Sequence, residues 1–326
     1  MIKMKYINKY MLIMMVCLFI IAFSSCDGNQ KGNNEDSQLH DWAKEYEELG
    51  SGLTLGLVND YEPTENGVVY LDKISDTLNV QFANLTEHES EYILKVFYDY
   101  EEVSYAINGN DTLLNSYVFT AASKSSLIIP LTLDADLNFD DSHFLTIAVL
   151  TAPNKNTVDL DMMSNSYGMV GTYELTNKSG ARRVNEKQTA QEPKEYLQIP
   201  FQGLMLNTDF KEKDDAQVFF PPKEIKVKGG EAIKLAYRVG NYENTDDVLF
   251  IVLVDWQQQR IDGKKPFIHL KNRPDYIGYG VIEMTAPLEK GKYDITGFVI
   301  SGPFELRNAY NFNINDTCYR FTITVE

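Results

Sequence analysis

The sequence predicts an all-β protein built as two antiparallel β-sandwich domains. Apolar and polar residues alternate in several segments, for example over residues 233–240 and 319–326. This alternation is typical of strands in an antiparallel sheet that has one buried and one solvated face. Turn-forming pairs such as Asn108-Gly109 and Asp262-Gly263 separate the strands, and no long helical pattern follows residue 50. Together these observations favour a sandwich or barrel in each half of the chain.

A weak internal repeat supports two copies of one fold. Residues 92–100 and 248–256 are long apolar segments, and each ends in an Asp-aromatic pair. Each is followed later in the chain by a strand that ends near a proline, over residues 144–153 and 293–303. Similar strands in the same order are typical of a duplicated domain.

Composition divides the chain into a leader, a tether and two domains joined by a linker. Residues 27–37 contain no apolar side chain, which predicts a solvated tether of roughly 20 Å reach. The predicted plan is a leader over 1–25, Cys26 with the tether and a short helix over 26–49, sandwich 1 over 50–177, a linker over 178–194, and sandwich 2 over 195–326.

The first residues have the composition of a secretory signal. Lys3, Lys5 and Lys9 precede an unbroken apolar run over residues 11–23. As a helix this run is roughly 20 Å long, which is shorter than the roughly 30 Å hydrocarbon core of a bilayer. We therefore predict that it directs export and is then removed.

The end of this run resembles the lipobox of bacterial lipoproteins. Ser24 and Ser25 precede Cys26, and Phe23 stands where that family most often has leucine. The resemblance implies that the chain is cut before Cys26 and that this cysteine carries diacylglycerol and palmitate, which anchor the protein to a bacterial membrane. The anchored protein then lies outside the cytoplasm, at the cell surface or in the periplasm. The alternative is an ordinary signal peptide with an accidental cysteine.

The charge of the chain argues against nucleic-acid partners. The sequence has 30 Lys and Arg residues against 47 Asp and Glu residues, and loss of the three leader lysines changes the net charge from -17 to -20. A surface this acidic repels phosphate backbones and anionic lipid heads. We therefore expect membrane contact through the lipid alone, and no nucleic acid.

Cysteine usage excludes an internal disulfide in the mature chain. Cys17 leaves with the leader and Cys26 is acylated, so Cys318 has no intramolecular partner. Stability must then come from packed cores.

Sandwich 2 resembles immunoglobulin-like and fibronectin-like domains over residues 288–295. There Gly291 lies two residues before Tyr293, which opens a predicted strand. This spacing matches the tyrosine corner of those families, in which the phenol hydrogen-bonds to upstream backbone. In sandwich 1, Asp141 and His143 occupy the corresponding positions.

The most apolar strand predicts an additional contact. Every side chain in residues 248–254 is apolar, so both faces of this strand are predicted to be buried. Antiparallel sheets usually leave one face wet. We therefore expect the other domain, a crossing segment or a partner to cover the second face.

Trp256 lies at the end of this strand. The resemblance to immunoglobulin-like domains implies that Trp256 packs in the core of sandwich 2, and the alternative is that its ring stacks on a sugar ring.

The sequence offers no catalytic constellation. The histidines lack the spacing of zinc or metalloprotease sites, and neither a GxSxG elbow nor a Gly-rich phosphate loop occurs. We predict no catalytic residues and no cofactor other than the lipid on Cys26.

A weak calcium candidate lies in an acidic segment of sandwich 1. Its oxygen-bearing residues at alternate positions are Asp134, Asp136, Asn138 and Asp140. Phe139 stands where an EF-hand loop needs glycine, so the segment is not an EF-hand. The alternative is a solvated acidic turn, because Asp and Asn are common turn formers.

Three loops of sandwich 2 are predicted to meet at one end, over residues 240–247, 271–279 and 302–317. They combine asparagines with aromatic residues, a mixture typical of binding loops. The predicted contact residues are Tyr242, Tyr276, Tyr279, Phe304, Tyr310 and Phe312. The alternative is that these rings pack down and cap the sandwich.

Two functional hypotheses follow. The favoured one is a non-enzymatic, lipid-anchored binding or scaffold protein whose loops contact an envelope or extracellular protein or glycan. The alternative is an accessory carbohydrate-binding protein, or a hydrolase whose carboxylates meet only in the fold.

Replacement of the predicted lipidated cysteine tests the anchor. We expect Cys26→Ala to abolish lipid attachment and to leave either an unprocessed precursor or a protein released by ordinary signal peptidase. Labelling with radioactive palmitate measures this directly. Label retained by Cys26→Ala would contradict the lipobox assignment.

Overall fold

The computed structural model of the protein describes residues 39–47, 52–59, 62–63, 65–71, 77–134, 141–157, 168–177, 182, 184, 189–208, 224–307 and 315–326. The predicted leader, Cys26 and the tether lie outside the described residues. Within these ranges the regular structure is almost entirely β-strand, which confirms the predicted all-β sandwich class.

A short helix precedes the strands. Helix α1 (Asp41–Glu47) lays Ala43 against Ala83 and Leu85 on the outside of sandwich 1. In the part of the chain that the structure describes, no helix is long and apolar enough to cross a membrane.

Sandwich 1 consists of two sheets around one core. Its strands are β1 (Leu53–Asn59), β2 (Glu62–Pro63), β3 (Val68–Leu71), β4 (Leu78–Asn84), β5 (Ser90–Tyr98), β6 (Glu101–Glu102), β7 (Tyr105–Ile107), β8 (Tyr117–Ala121), β9 (Ser125–Leu133), β10 (His143–Thr151) and β11 (Gly168–Asn177). Sheet I has the order β2-β1-β4-β9-β7, and sheet II has the order β3-β11-β10-β5-β6, with β8 also paired to β5. Leu57 and Phe82 of sheet I meet Leu94 and Ile147 of sheet II in the core.

Sandwich 2 repeats this plan. Its strands are β12 (Glu195–Leu197), β13 (Gly203–Asn207), β14 (Glu224–Val227), β15 (Ala232–Gly240), β16 (Asp247–Val254), β17 (Gln257–Gln258), β18 (Ile268–Lys271), β19 (Ile277–Thr285), β20 (Gly291–Ser301), β21 (Asn315–Thr317) and β22 (Phe321–Val325). Sheet III has the order β14-β22-β20-β16-β17, with β18 on β16 and β21 on β20. Sheet IV has the order β12-β19-β15-β13. Leu206 and Leu235 of sheet IV pack on Phe250 and Ile323 of sheet III.

The two sandwiches share details that a duplication predicts. In each, a strand near the start pairs in parallel with the last strand, β3 with β11 and β14 with β22. The Asp99-Tyr100 and Asp255-Trp256 pairs both turn a hairpin with positive φ at both residues, 47° and 69° in the first and 48° and 67° in the second. Such turns match the right-handed twist of the flanking strands.

Sheets II and III pack face to face, so the described residues of the two sandwiches form four layers of sheet. Alternate residues of β16 serve two cores: Phe250 and Val252 face sheet IV, whereas Ile251 and Leu253 face sheet II. Phe298 of β20 also lies in this contact. The second face of β16 is therefore covered by the other sandwich, one of the covers that the sequence predicted. Residues Gly32–Glu326 form one compact unit, and this division of the chain gives no boundary between the two sandwiches. The domain boundaries predicted from the sequence therefore stay predictions.

Reciprocal hydrogen bonds accompany the apolar contact. The backbone N–H of Glu102 donates to Oε1 of Gln258 at 2.7 Å, and the backbone N–H of Gln258 donates to Oε2 of Glu102 at 2.8 Å. These residues lie at equivalent positions after the two Asp-aromatic turns. The phenol of Tyr100 donates to the carbonyl of Pro303, and Nε1 of Trp256 donates to the carbonyl of Pro153 at 3.1 Å. Each sandwich thus holds the other through matching residues.

The structure corrects the predicted place of Trp256. Its ring is half-buried in the contact between the sandwiches and not in the core of sandwich 2. The Arg320 guanidinium lies 5.0 Å from the centroid of its ring. The positive φ of Trp256 turns the side chain away from the sandwich 2 core toward sandwich 1.

Tyr293 makes the hydrogen bond that a tyrosine corner implies. Its phenol donates to the carbonyl of Glu289 at 3.0 Å. A Cβ on Gly291 would lie 3.3 Å from the Tyr293 ring, so a larger residue here would require the ring to shift by a few tenths of an ångström. In sandwich 1 the corresponding His143 instead pairs its Nδ1 with Oδ2 of Asp99 at 2.6 Å.

Truncation of a side chain in the sheet II–sheet III contact tests whether the two sandwiches unfold together. Phe298 is fully buried against Phe97, with ring centroids 5.2 Å apart. We expect Phe298→Ala to lower the free energy of unfolding by about 3 to 5 kcal/mol, because it removes apolar contacts and leaves a cavity. Urea unfolding followed by circular dichroism and by tryptophan fluorescence should give one shared transition. Trp42 on α1 and Trp256 report on different parts of the molecule.

The matched control is the exposed Val281→Ala, which should change stability by less than about 0.5 kcal/mol. Two separate transitions, of which Phe298→Ala shifts only one, would show that the sandwiches are independent.

Candidate functional site

Strand pairing brings three loops of sandwich 2 to one end. Gly240 pairs with Ile277, Asp247 with Lys271, and Val248 with Ser301. The loops over residues 241–246, 272–276 and 302–307 therefore leave the sheets side by side. We call these three loops the loop apex.

Asn272 ties the first two loops of the loop apex together. Its Nδ2 donates to the carbonyls of Tyr242 and Thr245 at 2.7 and 2.8 Å, and its Oδ1 accepts from the backbone N–H of Tyr242 at 3.2 Å. Its own N–H donates to the carbonyl of Asp246 at 2.8 Å. A Cβ on Gly240 would lie 3.0 Å from Oδ1 of Asn272, so the asparagine needs a glycine opposite it. One side chain thus fixes the course of two loops.

The third loop is joined to the first. The backbone N–H of Gly302 donates to the carbonyl of Asp247 at 3.0 Å. The hydroxyl of Thr245 shares its one proton between the carbonyl of Asp247 at 3.0 Å and Oε1 of Glu305 at 3.2 Å. All three loops are therefore cross-linked by hydrogen bonds.

A tight turn forms the tip of the second loop. Pro274 is its second residue, Asp275 has a φ of 67°, and the N–H of Tyr276 donates to the carbonyl of Arg273 at 3.1 Å. Proline followed by a residue with positive φ is typical of a type II turn. The side chain of Asn241 holds this strained position, because its Oδ1 accepts from the N–H of Asp275 at 2.9 Å.

Arg273 lies against two tyrosine rings at the surface. The guanidinium carbon is 4.3 Å from the ring centroid of Tyr196 and 5.6 Å from that of Tyr276. Tyr196 donates its phenol to Oε2 of Glu192 at 2.9 Å, and Lys271 bonds the other oxygen of this carboxylate at 2.7 Å. Desolvation and the bond to Glu192 raise the pKa of Tyr196 to about 12. We call Arg273, Tyr196 and Tyr276 the Arg–Tyr stack.

Sequence reasoning missed two members of the Arg–Tyr stack. Tyr196 precedes the predicted loops by more than 40 residues and joins them only because β12 pairs with β19. Arg273 lies inside a predicted loop, but the contact residues were predicted from the mixture of aromatic residues and asparagines, which does not include arginine. The Arg-Pro-Asp sequence over residues 273–275 was the available signal for a rigid turn that presents the arginine.

The predicted contact residue Tyr242 is not available to a partner. It is fully buried, and its phenol donates to Oδ2 of Asp316 at 2.7 Å. Desolvation raises its pKa far above the usual tyrosine value. The alternative that some aromatic residues cap the sandwich holds for this residue.

Phe304 and Tyr279 also pack on protein. Phe304 is half-buried between the sandwiches, with its ring centroid 5.3 Å from that of Tyr100 and 5.1 Å from that of His269. Tyr279 packs against two small buried clusters of sheet IV, which contain Ile277 and Met205. Of the remaining predicted residues, Tyr276 is partly exposed in the Arg–Tyr stack, whereas Tyr310 and Phe312 lie outside the described residues.

A buried ionic cluster fixes the base of the third loop. Glu174 of sandwich 1 is fully buried, and it accepts hydrogen bonds from the N–H of Arg307 at 2.8 Å, Nε of Arg182 at 2.8 Å and the hydroxyl of Ser142 at 2.7 Å. Burial by itself raises the pKa of Glu174, but these hydrogen bonds outweigh it, so the net pKa is lowered. Sandwich 1 thereby positions a loop of sandwich 2.

The calcium candidate is only partly described. Asp134 is exposed at the end of β9, and Asp136, Asn138 and Asp140 lie outside the described residues. Among the residues that the structure describes, no group of three His, Cys, Asp or Glu side chains is placed to hold a metal ion.

Cys318 is buried, and desolvation raises the pKa of its thiol to about 12, so this thiol is not activated.

Comparisons with known proteins give no family. No protein-family model matches the chain, and no curated protein matches it. Among solved structures, the C-terminal domain of the Streptococcus pyogenes antigen I/II-family protein AspA has 8% identity, covers 84% of this chain and 99% of its own length, and has a TM-score of 0.23. The Salmonella enterica SafA pilin in complex with the SafB chaperone has 11% identity, coverages of 85% and 97%, and a TM-score of 0.25. Likeness at this level assigns neither family nor function.

Removal of the buried charge in the ionic cluster should have a pH-dependent effect. Glu174→Gln keeps the shape of the side chain but deprives Arg182 of its carboxylate, so we expect a loss of about 3 kcal/mol at pH 7. Because the folded pKa of Glu174 lies below the unfolded value of 4.5, its stabilisation is present above that value and is lost as the pH falls through the folded pKa. The difference between wild type and Glu174→Gln should therefore shrink between pH 5 and pH 2.

Urea unfolding at several pH values measures this difference. The matched control is Glu192→Gln, which removes an exposed carboxylate and should change stability little. A gap between wild type and Glu174→Gln that stays constant down to pH 2 would show that the charge of Glu174 is not the source of its effect.

Proposed function

We propose that this protein is a lipid-anchored, extracytoplasmic binding or scaffold protein, and that its loop apex contacts a protein or glycan partner. The observation that carries the proposal is the hydrogen bonding around Asn272 and Thr245, which holds three loops in one arrangement. Loops that are ordered before binding lose little conformational entropy when a partner arrives. This is the physical requirement for a recognition surface made of loops.

The residues at the surface of the loop apex suit recognition. Arg273 and the partly exposed Tyr276 offer a rigid cation and an aromatic ring, which are common anchors in protein interfaces. The exposed side chains of Glu243, Asn244 and Asp246 in the first loop add hydrogen-bonding groups. Rings that are only partly buried still leave area for a partner.

The anchor is proposed on the leader and on Cys26. An apolar run of signal length ends at this cysteine, and the residues after it are polar. A lipid on Cys26 followed by a flexible tether would leave the sandwiches free to meet a partner outside the cytoplasm.

A non-enzymatic role agrees with the engagement of the buried carboxylates. Burial raises the pKa of Asp294, a property that acid catalysts share. Its oxygens are nevertheless occupied by the hydroxyl of Thr322 at 2.7 Å and by Arg320 at 3.1 Å, inside the contact between the sandwiches. The first alternative, an accessory carbohydrate-binding protein, would bind the same kind of glycan partner as the proposed protein. The second alternative, a hydrolase, would differ because it would cleave that glycan.

Capture of a partner by variants of the loop apex tests the proposal. We expect the triple change of three predicted contact residues, Tyr276→Ala in the loop apex with Tyr310→Ala and Phe312→Ala in the predicted loop over 302–317, to abolish capture of envelope or extracellular material by the anchored protein. If these rings serve a partner and not the core, as we propose, the thermal midpoint should move by less than about 3 °C. Affinity capture followed by mass spectrometry and glycan analysis gives the readout.

The matched control is Tyr46→Ala, which removes an exposed tyrosine from α1 of sandwich 1. Unchanged capture by the folded triple variant would place the binding surface elsewhere. A large fall in thermal midpoint would show that these rings are structural.

A further inference from the structure

Arg273 has hydrogen-bonding capacity that the protein does not use. It is exposed, and within the described part of the chain its guanidinium forms no hydrogen bond and lies against the two rings of the Arg–Tyr stack. The pKa of the nearby Glu192 carboxylate is lowered mainly by its bond to Lys271, and the charge of Arg273 adds to this effect. The neighbouring carboxylate of Glu192 is already bonded by Lys271 and Tyr196. Arginine carries five N–H donors in a planar fork that fits a carboxylate. A cation held in place with unused donors is suited to an anionic ligand.

The position of this cation is fixed before any ligand binds. Tyr196 holds the guanidinium from one side at 4.3 Å, and the turn over residues 273–276 holds its backbone. Asn241 secures that turn through the N–H of Asp275 and is itself secured, because its Nδ2 donates to the carbonyl of Phe201 at 2.9 Å. An ordered arginine loses less side-chain entropy on binding than a free one.

Two carboxylates lie in the loops that carry Arg273 or adjoin it, and the Lys271 ammonium nearby is already paired with Glu192. Asp275 follows it in the same turn, and Asp246 lies in the adjacent loop, where its carbonyl accepts the N–H of Asn272. Both aspartate side chains are exposed. The surface therefore combines a cation that has unused donors with two exposed carboxylates, beside the partly exposed ring of Tyr276.

We propose that the Arg–Tyr stack binds an acidic sugar, a pyranose that carries a carboxylate and several free hydroxyls. The sugar carboxylate accepts a pair of hydrogen bonds from Arg273, its hydroxyls donate to the carboxylates of Asp246 and Asp275, and its apolar ring face lies on Tyr276. This inference rests on the proposed binding function of the loop apex and names the chemical class of its ligand.

An acidic peptide fits this surface less well. Its carboxylates would pair with Arg273, but further acidic side chains would face Asp246, Asp275 and a chain of net charge -17. An acidic sugar has one carboxylate for the cation and several donors for the surrounding acceptors. The arrangement of donors and acceptors therefore favours the sugar.

Calorimetric titration of the intact protein with defined probes tests the proposal. The acidic probes are sialyllactose and the methyl glycoside of glucuronic acid, each of which carries one carboxylate; the neutral probe is the methyl ester of sialyllactose, and the peptide probe is tetraglutamate. We expect at least one acidic sugar to bind at least tenfold more tightly than the neutral and peptide probes. Arg273→Ala should weaken that binding at least tenfold, and Arg273→Lys should also weaken it, because an ammonium lacks the planar fork.

The matched control is Arg260→Ala, which removes another exposed arginine of sandwich 2 that pairs with Glu101, and it should bind as wild type does. The proposal is overturned if no acidic sugar binds at millimolar concentration, if the methyl ester binds equally well, if tetraglutamate binds best, or if Arg273→Ala binds as wild type does. One of these four overturning outcomes can occur while the triple variant with Tyr276→Ala, Tyr310→Ala and Phe312→Ala still loses partner capture. In that case the assignment of an acidic sugar fails, and the proposed binding function stands.

Discussion

The burial of sheet II against sheet III is the interaction on which the rest of the structure depends. It gives β16 two buried faces and brings Phe97 of sandwich 1 onto Phe298 of sandwich 2. Apolar contact supplies most of the stabilisation, since buried apolar area contributes roughly 25 cal/mol per Å². The reciprocal bonds between Glu102 and Gln258 fix the relative orientation, because each satisfies a backbone N–H of the other sandwich.

The contact between the sandwiches also positions the third loop of the loop apex. Glu174 of sandwich 1 accepts the N–H of Arg307, and Tyr100 donates to the carbonyl of Pro303 at the start of that loop. Asn272 then links the remaining two loops from within sandwich 2. The geometry of the candidate site therefore depends on both sandwiches, although its surface belongs to one of them.

The fold was more predictable than the site. Alternation over residues 233–240 and 319–326 indicated strands correctly, because periodicity is a local property. The solvated face predicted for them was wrong in part, since Arg238, Arg320 and Thr322 are buried by contacts distant in sequence. The apolar run over 248–254 correctly indicated a covered second face. Trp256 and Tyr242 were misplaced because the direction of a side chain depends on backbone φ and on neighbours distant in sequence. Tyr196 could not be associated with Arg273 from sequence, since only the pairing of β12 with β19 brings them together.

The four-layer arrangement has a consequence for biosynthesis. Sandwich 1 is made first, so its outward-facing Ile93, Phe97 and Leu150 lack their cover until β16 and β20 exist. At about 5 to 20 residues per second, the ribosome needs on the order of ten seconds to add sandwich 2. During this interval a contiguous apolar face is accessible to other nascent chains, and such faces promote aggregation. A holding chaperone that shields sheet II until translation ends would therefore raise the yield of this chain more than that of a protein whose domains bury their own faces.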